Sequence, residues 1–486
     1  MKLNELFKDA PEIEVQGIIT DSRKRRKNSI FFCIKGMMND GHRFVNQAIS
    51  NGAVCVVYSD DLKEKNPQIT YIKVKDVSAV LNKVADYFYG SPSKQMVVFG
   101  VTGTNGKSSV TMMIRDILNR YLPTGYIGTI SIEYGEVKLA PSLTTPEVAE
   151  LQAILKDMVD ASMKACTLEV SSIGLEQHRT DAIDFDVAIF TNLTHDHLDY
   201  HGTMENYFLS KKRFFDDLAV DAIAITNVDN EYGMAMVEDT EAKVITYGIH
   251  NEADYRATHI QVAKDKTVFT LETKEEQLQI ETNLVAEFNI YNLLATIAAL
   301  HSRGLPLNKL AIQVMRIAQI EGRMERIDAG QPFNVIVDFA HTPDGIEQVM
   351  KYATKITPKE NRIIAVFGSA GRRDFKKRPI FGELADHYCD MIILTEDDPR
   401  DESVIEIAHE IAKGIKKTNF IIIERRYDAI RQAVELANEN DTILLLGKGD
   451  EPFLYRDFGR EQYLGDHKIA YEVIKKYYFH EGIEEE

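Results

Sequence analysis

The chain has 486 residues, enough for about three domains that each bury a core, which excludes a lone small binding module. Its 57 Lys and Arg stand against 75 Asp and Glu, a formal net charge of −18. Most of the surface therefore repels a polyanion, nucleic acid is excluded as a partner, and any phosphate-bearing ligand needs a local basic or glycine-rich pocket.

The N-terminal segment MKLNELFKDAPEIEVQG carries Asp and Glu where a signal peptide needs a continuous apolar core. Short apolar runs then alternate with polar turns and stretches of helical spacing, the pattern of buried parallel strands and helices, which predicts an α/β fold. The first strands are VQGIITDS, SIFFCIKG, AVCVVYS and TYIKVKD, with a helix over 42–52 ended by Gly52. Residues 89–95, YGSPSKQ, read as a linker because Gly, Ser and Pro break both periodicities. A second unit holds the strands MVVFGVTG, ACTLEVSS, DVAIFTNLT and AIAITNVD, an alternating antiparallel patch over 254–284, and the helix NIYNLLATIAALHSRG ended by Gly304. A third starts near 326 with FNVIVDFA, RIIAVFGS, MIILTED, FIIIE and TILLLGKG, and the chain ends in a solvated acidic tail, EGIEEE. Domain seams are expected at 92/93 and 325/326. No apolar run reaches the roughly 20 residues of a membrane span, and Cys33, Cys55, Cys166 and Cys389 sit apart inside apolar runs, as buried free thiols do. A soluble cytoplasmic protein is expected.

The strongest local signal is VVFGVTGTNGKSSVTMMI at 97–114. Glycines let backbone N–H groups approach phosphate, the helix N-terminus adds positive potential, Lys107 neutralises β/γ oxygens and Ser108 can ligate Mg²⁺. A literal GxxxxGK[ST] pattern is absent, because position 101 is Val and Gly100 lies one residue early.

GVTGTNGKSS resembles the nucleotide loop of the Mur ligase family. Further segments resemble the same family in order: LTTPE (143–147), EVSSIGLEQHR (169–179), TNLTHDHLDYHG (191–202), YFLSKKRFF (207–215), FNIYNLLA (288–295), GRMER (322–326), DFAHTPD (338–344), GSAGRRDFKKRP (368–379), DDPR (397–400) and GKGDE (447–451). TDSRK with IKGMMNDGHRF resembles the uridine-binding domain of the branch that adds the third amino acid of the peptidoglycan stem.

The resemblance implies three α/β domains: a small uridine-binding domain, a central P-loop-type parallel-sheet ATP domain and a C-terminal Rossmann-like domain reading the amino acid. The implied reaction is ATP-dependent. The γ-carboxylate of D-Glu in UDP-N-acetylmuramoyl-L-Ala-D-Glu becomes an acyl phosphate, and the amino acid's α-amine displaces phosphate. ATP is implied to lie on Gly103, Thr104, Asn105, Gly106, Lys107, Ser108 and Ser109, with Asn292, Arg323 and Asp338, and the catalytic set to be Lys107, Lys211, Arg323 and His341. Mg²⁺ ligands would be Ser108, Glu169, His197 and Lys211, the last as a CO₂-derived carbamate; taken alone, Lys211 reads as part of a solvated basic face. Only a neutral amine adds CO₂, so the carbamate requires burial or nearby cations to depress the lysine. Thr20, Ser22, Thr144, Thr145, Ser171, Gln177 and Arg179 would hold the UDP-sugar dipeptide, with Met37, Met38 and Asn39 alongside.

The incoming amino acid falls to Arg373, Asp397, Asp398, Pro399, Arg400, Gly447 and Glu451. Diaminopimelate enzymes of this branch typically show D-N-P-R and G-K-G-H-E; here the variant positions are Asp398 and Asp450. Extra carboxylates favour a bare ammonium, so L-lysine is the expected substrate, with meso-diaminopimelate the alternative that Arg400 supports. A monomer is expected. The rivals are folylpolyglutamate synthase or another Mur-type ligase, and a P-loop ATPase switch without ligation.

Overall fold

The computed structural model describes residues 1–36, 39–417 and 419–479, so Met37, Met38 and the acidic tail lie outside the described residues. Residues 1–88 build a four-stranded sheet, Gly17–Ile19, Ser29–Phe32, Ala53–Tyr58 and Thr70–Lys73, paired in chain order and parallel throughout. The helix expected over 42–52 splits into a 3₁₀ turn, Gly41–Phe44, and an α-helix, Val45–Ser50. A further helix, Val77–Phe88, begins where the Asp76 carboxylate accepts a hydrogen bond from Ala79 N–H at 2.9 Å. It buries Val77, Leu81, Val84 and Ala85 against Ile18, Ile30 and Val57.

The central unit is an eleven-stranded sheet. Its middle is parallel: Thr124–Ile127, Ala165–Glu169, Val97–Thr102, Val187–Phe190, Ile223–Asn227 and Lys243–Gly248 lie side by side in that order. The antiparallel patch expected over 254–284 forms at one edge, and an antiparallel hairpin that was not expected forms at the other. One wing is Tyr255–Val262, Thr267–Thr273 and Gln277–Thr282, the other the hairpin Ile132–Tyr134 with Val137–Leu139. Short turns join these strands, and only antiparallel pairs close without a crossover helix. The parallel core is buried on both faces: Phe99 and Val101 pack under helices Lys107–Leu118 and Glu287–Ser302, while Val98 packs with helices Val148–Asp160 and Met204–Asp216.

The C-terminal sheet has six strands, in the order Glu325–Arg326, Asn334–Asp338, Thr442–Leu446, Ile363–Phe367, Met391–Leu394 and Phe420–Ile422. All but the first pair are parallel, a Rossmann-like layer. A hairpin, Phe453–Arg456 with Gly459–Gln462, stands apart. All four cysteines are buried, and burial pushes the Cys55 and Cys166 thiols up to about 12, which keeps them inert. Among the described residues no helix is long and apolar enough to cross a membrane.

Candidate active site

Val97–Thr102 is flanked by Ala165–Glu169 on one side and Val187–Phe190 on the other, in registers that align Val101 with Glu169 and Thr102 with Phe190. The carboxyl ends of these three strands open into one cleft of about 630 Å³, the crevice in which α/β sheets collect ligands. It is lined by Gly103–Ser109, Thr144, Glu169, Ser171, His197, Lys211, Asn292, Arg323, Asp338, His341 and Arg373.

The phosphate loop depends on two left-handed glycines, Gly103 (φ 147°) and Gly106 (φ 88°). A Cβ at Gly103 would stand 1.9 Å from Thr191 Oγ1, and one at Gly106 2.5 Å from Asn292 Oδ1, so neither position admits a side chain. Gly106 leads into the helix Lys107–Leu118, whose first turn carries Ser108 and Ser109. Lys107 Nζ donates to Gly103 O at 3.0 Å and Thr104 O at 2.8 Å, and burial holds its ammonium below the ordinary value. Phosphate oxygens would exchange for these carbonyls. Asn105, expected on ATP, spans to the C-terminal unit, donating to Asp344 Oδ2 at 2.9 Å and accepting from Thr342 Oγ1 at 3.1 Å.

Glu169 is fully buried. Its Oε1 accepts from Tyr126 O–H at 2.7 Å and Thr129 N–H at 3.0 Å, and its Oε2 from Thr129 Oγ1 at 3.1 Å. His197 has φ 52° and caps the short helix Leu198–His201; burial lowers its pKa against the pull of Asp196, favouring a neutral imidazole. Lys211 lies on the helix Met204–Asp216 and is 1% exposed. Its Nζ donates to Gly103 O at 2.9 Å and Thr102 Oγ1 at 3.3 Å and sits 4.9 Å from the Tyr207 ring centroid. Burial first, then the Lys107 charge, depresses its pKa well below the ordinary lysine value. Among the described residues no three His, Cys, Asp or Glu are grouped to hold a metal. Of the expected magnesium set, Glu169 and His197 are of that kind, and Ser108 and Lys211 line the same cleft.

Across the cleft, the Arg323 guanidinium stacks 4.2 Å above the Phe339 ring and donates to Gly322 O at 3.3 Å. Asp338 ends its strand and accepts from Met324 N–H at 2.7 Å and Ala340 N–H at 2.8 Å; burial raises its pKa. His341 donates from Nδ1 to Phe339 O at 2.9 Å, and burial pushes it down to about 4. Sequence reasoning missed Asp196, which is 5% exposed, with Oδ2 3.4 Å from His197 Nε2 and 4.0 Å from His341 Nε2. Burial opposes its ionisation, yet His197, Lys377 and His341 hold the carboxyl well below the usual range. The local signal was its place beside His197; its contact with the C-terminal unit was not legible.

The residues expected on the UDP-sugar dipeptide are dispersed. Thr144 Oγ1 lies 3.0 Å from Thr129 Oγ1 at the cleft. Thr145 is fully buried behind it, donating to Glu169 O at 2.8 Å and accepting from Ser171 N–H at 3.0 Å. Arg179 is held by Thr145 O at 2.8 Å, Glu147 at 3.0 Å and Gln177. Gln177 lines a second cleft of about 1110 Å³ between the N-terminal and central units, together with Lys35, Lys75 and Arg213. Neither Thr20 nor Ser22 lines it; the Ser22 hydroxyl donates to Gln47 Oε1 at 2.7 Å.

The two segments expected to read the amino acid meet. The Gly447 backbone packs on Asp397, where a Cβ would stand 2.6 Å from Oδ2. The buried Lys448 ammonium donates to Asp398 Oδ1 at 2.8 Å and Glu451 Oε2 at 2.5 Å. One ammonium thus serves two carboxylates. Burial, with Asp398 and Asp397 nearby, pushes Glu451 up to about 7 despite Lys448. Arg400, following Pro399, has φ 54° and donates to Gly371 O at 2.6 Å; burial and the neighbouring Arg373 lower its pKa. If Glu451 receives a substrate ammonium, the amino-acid KM falls as pH rises through about 7, because the carboxylate form accumulates. Glu451→Gln should flatten that limb in steady-state KM–pH profiles; an unchanged slope would remove Glu451 from binding.

Residues 14–89 match the Mur ligase family catalytic domain, 101–300 the Mur ligase middle domain and 322–449 the Mur ligase glutamate ligase domain. A relative from Caldanaerobacter subterraneus subsp. tengcongensis is 38% identical over 97% of this chain and 96% of its own. The chain belongs to the Mur ligase family. That relative is named UDP-N-acetylmuramoyl-L-alanyl-D-glutamate–2,6-diaminopimelate ligase, as is one from Clostridium tetani, 36% identical over 98% of this chain and all of its own. A solved Mur ligase of the same name superposes with a TM-score of 0.69 at 27% identity, covering 98% of this chain and 99% of that one. A folylpolyglutamate synthase from Mycobacterium tuberculosis, at 18% identity and TM-score 0.65 over 76% of this chain and 92% of its own, shares the fold.

Proposed function

We propose that this Mur ligase joins 2,6-diaminopimelate to the D-Glu γ-carboxylate of UDP-N-acetylmuramoyl-L-Ala-D-Glu, consuming ATP through an acyl phosphate. The observation carrying it is one cleft in which the phosphate loop, Glu169, His197 and Lys211 face Arg323, Asp338 and His341. The loop amides and Lys107 would hold the ATP phosphates and orient the γ-phosphoryl group toward the γ-carboxylate; Arg323 would balance charge on the transferring group. The α-amine then attacks the acyl carbon, and the tetrahedral intermediate expels phosphate. Mg²⁺ on Ser108, Glu169, His197 and carbamylated Lys211 would supply charge neutralisation at the phosphates. The UDP moiety belongs in the cleft between the N-terminal and central units, within the same proposal that sets seams at 92/93 and 325/326 and a cytoplasmic monomer.

Diaminopimelate replaces the expected L-lysine. The relatives' names favour it, and so does the charge arrangement: the buried Lys448 already bonds Asp398, so that added carboxylate is met within the protein. Arg400 and Arg373, close enough for one to depress the other, offer a cationic seat for the distal carboxylate that lysine lacks. Initial-rate assays should show kcat/KM for meso-diaminopimelate exceeding that for L-lysine by about 100-fold, roughly 2.7 kcal/mol. Equal or reversed values would restore lysine.

A further inference from the structure

The side chains of Arg426 and Asp466 are both 0% exposed, and neither belongs to the catalytic or substrate residues above. Arg426 opens the helix Arg426–Leu436 and Asp466 the helix Asp466–Val473. Arg426 Nε and Nη2 donate to Asp466 Oδ1 at 2.8 Å and Oδ2 at 2.6 Å, a two-pronged pair. The same guanidinium reaches both segments expected to read the amino acid. Nη1 donates to Glu396 O at 3.1 Å, immediately before Asp397, and Nη2 to Leu446 O at 2.7 Å, immediately before Gly447. Arg426 N–H donates to Glu396 Oε1 at 3.1 Å. Asp466 holds the second segment again, its N–H donating to Gly449 O at 2.8 Å, and Tyr463 O–H braces Asp466 Oδ1 at 2.5 Å.

We infer that the buried Arg426–Asp466 pair is a positioning unit that fixes the spacing of the Asp397–Arg400 and Gly447–Glu451 segments and thereby sets the affinity for the incoming amino acid. The inference rests on the proposed function, which makes these segments the amino-acid pocket. A guanidinium fits this task because its planar fork bonds two carbonyls and a carboxylate at once, which a lysine ammonium cannot reproduce with the same geometry. Displacing one segment weakens the contacts that both segments make with the amino acid together, whereas the residues proposed for ATP and the UDP-sugar dipeptide lie on other elements.

The test is steady-state kinetics of the full-length Arg426→Met/Asp466→Leu double variant, which removes both charges together and so avoids an uncompensated buried ion. The expected result is an amino-acid KM raised by about tenfold or more, with kcat at saturating amino acid and the KM for ATP within about threefold of the parent. A folded double variant with the parent's amino-acid KM, or one in which the ATP KM rises equally, overturns the inference. Should that variant fail to fold, Tyr463→Phe decides: loss of the brace is expected to raise the amino-acid KM alone by about threefold, and an unchanged KM overturns the inference. A parent chain that ligates no amino acid defeats the proposed function and this inference with it. An active parent whose variants keep their amino-acid KM defeats the inference alone.

Discussion

Lys211→Ala is expected to lower the ligation rate by about 10³-fold, the effect of losing several kcal/mol of charge stabilisation at the phosphates, and short carboxylates such as formate or acetate should restore part of it. The amine is buried, lies against Gly103 O and the Tyr207 ring, and is depressed by burial and Lys107. It is therefore disposed to the neutral form whose nitrogen lone pair bonds the carbon of CO₂, losing a proton to solvent and leaving a carbamate anion. A carbamate there would place an anion opposite Lys107, at a position where an ammonium is repelled. Parent enzyme stripped of bicarbonate should lose activity and regain it when bicarbonate returns. A folded Lys211→Ala chain that formate and acetate leave inactive would reduce Lys211 to a brace for the phosphate loop.

Arg323→Ala should lower kcat by about 10³-fold, the lower range for a guanidinium that stabilises a transferring phosphoryl group, without weakening UDP-N-acetylmuramoyl-dipeptide binding. Its stacking on Phe339 and its bond to Gly322 O fix it at the junction of the central and C-terminal units. Arg323→Lys should recover only a fraction, because an ammonium lacks both the fork and the planar face that stacks. Single-turnover phosphate release gives the chemical step directly, and a loss below about tenfold would remove Arg323 from it.

Parallel strands were legible because residues buried on both faces write continuous apolar runs, such as VVFGVT and TILLL, and the phosphate loop because Gly103, Gly106 and Lys107 are required locally. Thr124–Ile127 and Lys243–Gly248 of the parallel core, and the hairpin Phe453–Gln462, were not legible because each strand is short and flanked by no long apolar run. Position in the third dimension was harder. Lys211 sits in a polar stretch, SKKRFF, and nothing local says that its side of the helix faces the sheet edge while Leu209 is exposed. The charge reading that favoured lysine met the same limit: Asp398 counts as surplus acidity only until Lys448 is seen bonded to it. Arg426 and Asp466 are 40 residues apart in sequence, and no spacing rule joins them.

The most direct test is ATP-dependent phosphate release by the purified full-length chain, with substrates added singly and together. Ligation requires a rate that rises only when UDP-N-acetylmuramoyl-L-Ala-D-Glu and meso-diaminopimelate are both present, with one tripeptide product formed per phosphate. Constant hydrolysis indifferent to both would contradict it.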